Sequence, residues 1–320
     1  MVDLTRREMV LSAAGAAVLG LSGPLTFIRP ANAADMRAKG FHAYKVGDIE
    51  CISVYDGIWK KQHDAGFIRN ASVDETKAAL KAGGLTDEYV PIEFTQTVIR
   101  TGGRTILIDA GTGGQLSPDA GMMMKHLAAA GVDAGKIDTV LISHFHPDHI
   151  FGLMAKGTNE QIFPNAEIVV PEAEYAFWTD PATLSKLPKG AQGLAKRIQA
   201  TFPGWKNVKQ VAAGAEVAPG IRSVAAYGHT PGHTAYHVSS GGDQAYIMGD
   251  IANIPALFVV HPDWHAVFDA IPQLAQENRH KLFRTAIAEG ATVAGYHFGF
   301  PNAGRISKDG NGYVFEAMGA

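Results

Sequence analysis

The chain is 320 residues long with a formal charge of -3 at pH 7, so it lacks the basic excess of a nucleic-acid binder. Hydrophobic side chains make up 46% of it, enough for a substantial core, and 36 glycines imply many turns. A single cysteine, Cys51, rules out an intramolecular disulfide.

Met1 to Ala33 reads as a targeting segment ahead of a single domain over residues 34–320. Thr5-Arg6-Arg7-Glu8-Met9-Val10 is similar to a twin-arginine export motif, an apolar stretch follows to about Ile28, and Ala31-Asn32-Ala33 is a small-residue cleavage site. The rival, an uncleaved anchor helix, barely reaches the ~20 apolar residues that a bilayer needs and is weakened by Gly20, Gly23 and Pro24. The expectation is a periplasmic protein, cleaved near Ala33, with no stable membrane anchor afterwards.

Tyr44 to Tyr55 reads as a hairpin turning at Gly47-Asp48, with Cys51 as a small buried side chain. Ser72 and Glu75 form a capping box for a helix that runs through Leu80 and stops at Gly83-Gly84. Phe94 to Arg100 and Arg104 to Ile108 read as strands joined at Gly102-Gly103. Asp109 to Gly114 is glycine-rich but lacks the Lys-Ser/Thr of a phosphate cradle, so it reads as a tight turn. A helix over Met122 to Ala130 precedes the apolar run Asp138 to Ile142, a buried strand.

That strand leads into Ser143-His144-Phe145-His146-Pro147-Asp148-His149. In extended chain His144 and His146 share a face. Pro147 stops the strand, and the turn brings Asp148 and His149 back to the same point. Three imidazoles and a carboxylate at this spacing suit a divalent metal such as zinc. Downstream, strands are expected over Ile221–Ala226, Ala235–Val238 and Ala245–Met248, and a helix over Ile271–Glu289. His233, Asp250 and His297 each lie just past an expected strand, where loops at a sheet's edge carry chemistry.

The H-x-H-x-D-H pattern, with His233, Asp250 and His297 in order behind it, resembles the metallo-β-lactamase superfamily from about Tyr44 onward. The resemblance implies an α/β fold, a four-layer αββα sandwich, and a binuclear metal centre. By its pattern His144, His146 and His233 hold one ion, Asp148, His149 and His297 the other, and Asp250 bridges them. Two divalent ions, zinc or else Mn, Co or Fe according to supply, would then leave the cluster slightly positive beside a bridging hydroxide, with Asp148 orienting that hydroxide or shuttling its proton. Asp109 and His229 are expected behind the ligands.

Several stretches look most like methyl parathion hydrolases and their periplasmic relatives: Phe163-Pro164-Asn165-Ala166, Phe177-Trp178, Gly228 to Thr234, and Phe300 to Phe315. This likeness implies that Trp178 lines the substrate pocket; the alternative is a core aromatic on a helix face. The expected activity is metal-dependent hydrolysis of an ester-like bond: a lactone, aryl ester or organophosphate triester. Alternatives are an acyl-homoserine-lactone lactonase, although Asn253 stands where such enzymes often carry tyrosine, and a non-catalytic metal-binding protein on the same fold. The expected partner is a small molecule and not a nucleic acid; whether the chain pairs as a homodimer is left open. His261 and His265 read as surface or loop-packing residues.

Overall fold

The computed structural model describes the backbone of Phe27–Ile28 and the residues from Ala33 to Gly319. The Arg6-Arg7 motif and nearly all of the expected leader lie outside the described residues. Among the described residues, no helix is long and apolar enough to cross a membrane.

Two mixed sheets stack face to face. One has the strand order Phe41–Val46, Ile49–Lys61, Val90–Thr101, Arg104–Ile108, Thr139–Leu141, Glu167–Pro171, Val208–Val211. Its first four strands are antiparallel neighbours and its last three join in parallel. The other runs Phe27–Ile28, Gly312–Ala317, Ala303–Asp309, Thr292–Gly295, Asp243–Gly249, Thr234–Ser240, Ile221–Ala225, Glu216–Ala218. Within it Asp243–Gly249 and Thr292–Gly295 are parallel.

Side-chain alternation explains the layers. Ile49, Cys51, Ile99 and Leu141 of the first sheet meet Ile221, Tyr236, Val238 and Ile247 of the second in a core between the sheets. The first sheet's outer face packs Leu107 and Val140 against Leu127, Ala195 and Ile198 of the helices Met123–Ala129 and Lys189–Thr201. The second packs Tyr246 and Val293 against Leu282, Phe283 and Ala286 of the helix Pro272–Ala288. The result is the αββα sandwich. Cys51 is fully buried, and burial pushes its thiol up to about 12, so it is an inert core side chain.

The capping box forms as expected: the Ser72 hydroxyl accepts from Glu75 N at 3.2 Å and Glu75 Oε2 accepts from Ser72 N at 2.7 Å, opening the helix Val73–Ala82. The strand Val90–Thr101 is longer than its sequence suggested, because most of it is buried on both faces and shows no alternation. Between Glu167 and Val211, Gly190 and Gly193 lie within the helix Lys189–Thr201 rather than between elements. The strand Glu167–Pro171 runs directly into the helix Glu172–Thr179, with Pro171 as its cap and no glycine between them.

Candidate metal centre

The site forms where Thr139–Leu141, Asp243–Gly249 and Thr292–Gly295 end. The ladder continues one step past Leu141, with Ile142 N donating to Val169 O, and then the chain leaves the sheet. Ser143 N donates to Asp109 Oδ1 and its hydroxyl to Asp109 Oδ2, both at 2.8 Å. Asp109 holds a left-handed φ of 60°, which an aspartate tolerates better than most residues and which aims its carboxylate inward. Asp109 Oδ2 also lies 2.8 Å from His149 Nδ1, so that nitrogen donates and Nε2 is left facing the centre. The glycine-rich turn thus brings the Asp109 carboxylate to Ser143 and His149. Pro147 opens a single helical turn, Pro147–Ile150, with His146 as its cap.

Ligand-type atoms gather in three overlapping groups, each with all its atoms within 4.8 Å of one another: His144, His146 and His229; His144, His149 and Asp250; Asp148, His149 and His297. Asp250 lies between the outer two. Its Oδ1 is 3.2 Å from His149 Nε2, and its Oδ2 is 3.1 Å from His297 Nε2 and 3.3 Å from His229 Nε2. Asp148 Oδ2 stands 3.4 and 3.3 Å from the Nε2 atoms of His149 and His297. His297 is oriented from behind by Glu93 O, 2.8 Å from its Nδ1. His144 Nε2, His149 Nε2 and Asp250 Oδ1 are buried with no hydrogen-bond partner among the described residues. Buried polar atoms rarely go unpaired, and atoms of this chemistry converging on shared points suit divalent cations.

The two histidines of the Gly228–Thr234 turn exchange the places expected for them. His233 Nδ1 donates to Ala226 O at 3.0 Å, and its Nε2 accepts Asp250 N–H at 2.9 Å, so neither nitrogen is free for an ion. His229 Nε2 instead lies 2.9 Å from His146 Nδ1, and its Nδ1 lies 2.9 Å from Asp269 Oδ1. Asp269 is held in turn by the buried Arg279, 3.5 Å away. His229 therefore occupies the inner position and His233 braces the backbone at Asp250. Spacing alone could not rank two histidines in one turn. No motif marks Asp269 or Arg279.

Trp178 does not line the cavity over the site. Its ring is 3% exposed, and its Nε1 donates to Glu174 Oε1 at 2.7 Å, one helical turn away. Glu174 is fully buried. Besides Trp178 it accepts Phe145 N at 2.8 Å, Thr230 Oγ1 at 2.7 Å and Gly232 N at 2.9 Å. A carboxylate and an indole at i and i+4 on an otherwise apolar face were a readable sign of such a network.

Charge is distributed unevenly. Burial lowers His144, and lowers His146 and His233 to about 3, so these rings are neutral. Burial also works against a charge on His297, but Asp250 and Asp148 outweigh it and lift this ring to about 9; His149 is raised by Asp148, Asp250 and Asp109 in the same way. Burial alone would raise Asp148 and Asp250, yet the neighbouring imidazoles hold both carboxyls below the usual range. Without metal, protons on His149 and His297 occupy the place of positive charge.

A cavity of about 330 Å³ opens over His146, Asp148, Asp250 and His297, walled by Trp59, Ile92, Phe94, Leu116 and Phe268. Asn253 adds a neutral amide to its lining, and no lysine or arginine contributes. Asn253 as a whole is 4% exposed. A larger cleft of about 640 Å³ at the other end of the strands, lined by Gly102, Arg104 and Ser240, is remote from these groups.

Fold and site define a metallo-β-lactamase-type centre, and the family model of the metallo-β-lactamase superfamily matches residues 95–297. The chain belongs to that superfamily, whose members here are hydrolases. Its structure is similar to that of the hydrolase AbOPH of the β-lactamase superfamily, at 27% identity and a TM-score of 0.80 over 87% of this chain and 97% of that one. It is also similar to AidC, a dizinc quorum-quenching lactonase, at 26% identity and a TM-score of 0.77 over the same shares. Among curated proteins, ribonuclease Z of Mycobacterium avium (strain 104) is 28% identical over 106 residues, 33% of this chain and 30% of that protein. The chain thus spans less than a third of the length of that relative.

Proposed function

We propose that this protein is a binuclear metal-dependent hydrolase of neutral ester-like bonds in small molecules: lactones, aryl esters or phosphotriesters. The observation that carries the reading is one arrangement: Asp250 stands within 3.1–3.3 Å of histidines from both outer ligand clusters, at the floor of an apolar cavity lined by no lysine or arginine. His144, His146 and His229 would hold one ion, Asp148, His149 and His297 the other, and Asp250 both. Zinc suits these nitrogen and carboxylate donors, with Mn, Co or Fe acceptable to the same set. Bound there, two ions supply Lewis acidity and water acidified to a pKa of ~7.

The chain's own residues do the rest. Asp148, partly open to the cavity, is an ionised carboxylate positioned to take up and pass on a proton. Its backbone carbonyl is pinned by Tyr296 Oη at 2.6 Å. Trp59, Leu116 and Phe268 exclude water around an apolar substrate arm. A polyanion such as RNA would meet Asp148 and Asp250 with no lysine or arginine in the lining to offset them, which disfavours the activity named for the ribonuclease relative.

The likeness to AidC supports the lactonase reading; the local likeness to methyl parathion hydrolases supports the phosphotriester one. Metal-free protein, reconstituted with defined ions, should gain turnover against a panel of lactones, aryl esters and phosphotriesters. Silence across the panel at two ions per chain would leave the non-catalytic alternative. We further propose export through the Arg6-Arg7 leader; full periplasmic accumulation of a variant with both arginines changed to lysine would exclude that route.

A further inference from the structure

Glu174 is a buried carboxylate that touches none of the ligand-type atoms, yet it joins the two segments that carry one cluster. Its Oε1 accepts from Phe145 N, between His144 and His146; its Oε2 accepts from Thr230 Oγ1 and Gly232 N, just past His229. Trp178 completes the set from the carboxylate's own helix. Four donors converge on it, three of them N–H groups that cannot accept. The approach is close as well: a Cβ placed on Gly232 would come within 2.1 Å of Glu174 N. The other cluster is oriented without it, by Asp109 behind His149, Glu93 O behind His297, and Tyr296 Oη on the Asp148 carbonyl.

We propose that Glu174 is a positioning residue for one ion only: it fixes the distance between the His144–His146 segment and His229, and so sets the affinity of that half of the centre. The proposal rests on the metal assignment made above. A glutamine at this position cannot serve the same four donors, because whichever way its amide turns, its NH2 faces N–H or O–H groups. Thr230 can rotate its hydroxyl to accept; Gly232 N–H cannot. The 228–234 turn would then lose its tie to Phe145.

The experiment is calorimetric titration of Zn²⁺ into metal-free full-length protein, with His229→Ala and His297→Ala marking which binding event belongs to which half. Glu174→Gln should weaken the event lost in His229→Ala by ~10–100-fold, the usual cost of removing a group behind a ligand, and leave the event lost in His297→Ala unchanged. Trp178→Phe, which removes a donor on the helix side alone, should keep both events within about threefold. Where Glu174→Gln does not fold, Thr230→Val carries the test, since it deletes one tie to the turn and should weaken the same event about three- to tenfold. Both events unchanged, or both weakened alike, in the variant that folds would overturn the proposal. A wild-type protein that takes up no zinc would overturn the metal assignment itself.

Discussion

At the scale of single residues, the turn Gly228 to Thr234 separates two roles that its sequence could not. The motif made both of its histidines readable as site residues, but direction depends on partners distant in the chain: Ala226 O and Asp250 N for His233, Asp269 for His229. His229→Ala should lose one ion and nearly all turnover. His233→Ala should keep both ions bindable at excess, with a loss of about 10–100-fold in activity from a loosened Asp250. Metal content measured beside kinetics decides between them, and the reverse pattern would restore the expected order. Asp250→Ala should lose both together. Asn253 is a second residue-scale case: it lines the cavity beside Asp250 and can offer an amide to a substrate there, so Asn253→Leu should lower kcat/KM by about tenfold or more at unchanged metal content. A change of less than twofold would mean that Asn253 makes no contact with substrate that matters to turnover.

At the scale of elements, what was legible followed punctuation. The capping box at Ser72, the glycines that end hairpins, and Pro147 after the strand each act locally, and each appears where the sequence placed it. The segment from Glu167 to Val211 was illegible because its strand passes into a helix at Pro171 without a glycine, and because Gly190 and Gly193 dilute the pattern of Lys189–Thr201. Trp178 was misread for a related reason. A helical aromatic near a motif can face either way, and here the Glu174 carboxylate draws the indole inward. The contact between the helix Glu172–Thr179 and the 228–234 turn is tight enough to predict that Gly232→Ala unfolds or distorts the site. Its thermal midpoint should fall by several degrees or more, whereas Gly157→Ala, at a position with open space, should show a far smaller change from backbone strain alone. Equal midpoints for the two variants would contradict the packing.

At the scale of the whole molecule, the centre couples charge to stability. In metal-free protein His297 is raised from 6.5 to about 9, so its contribution is complete below about 6.5 and is lost as pH climbs through 9; His149 is raised as well and acts in the same direction. His144, His146 and His233 are lowered, so the unfolded chain takes up their protons first and stability also falls on acidification below about 6.5. Melting curves of chelated protein should therefore peak near neutrality and decline toward pH 9. With both ions bound, the alkaline decline should vanish, because cations replace the ring protons beside Asp148 and Asp250. A flat metal-free profile from pH 6.5 to 9 would remove the carboxylate–imidazolium pairing.

The order of strands also sets a timetable for synthesis. His144 to His149 leave the ribosome early, but Thr292–Gly295 is inserted between Asp243–Gly249 and Ala303–Asp309, in the interior of its sheet. The second sheet cannot close, and His297 cannot face Asp250, until the last three strands have emerged. On the assignment proposed above, loading of the half that includes His297 is a terminal event on a finished polypeptide, and nascent chains arrested before Thr292 should lack the zinc-binding event that His297→Ala removes.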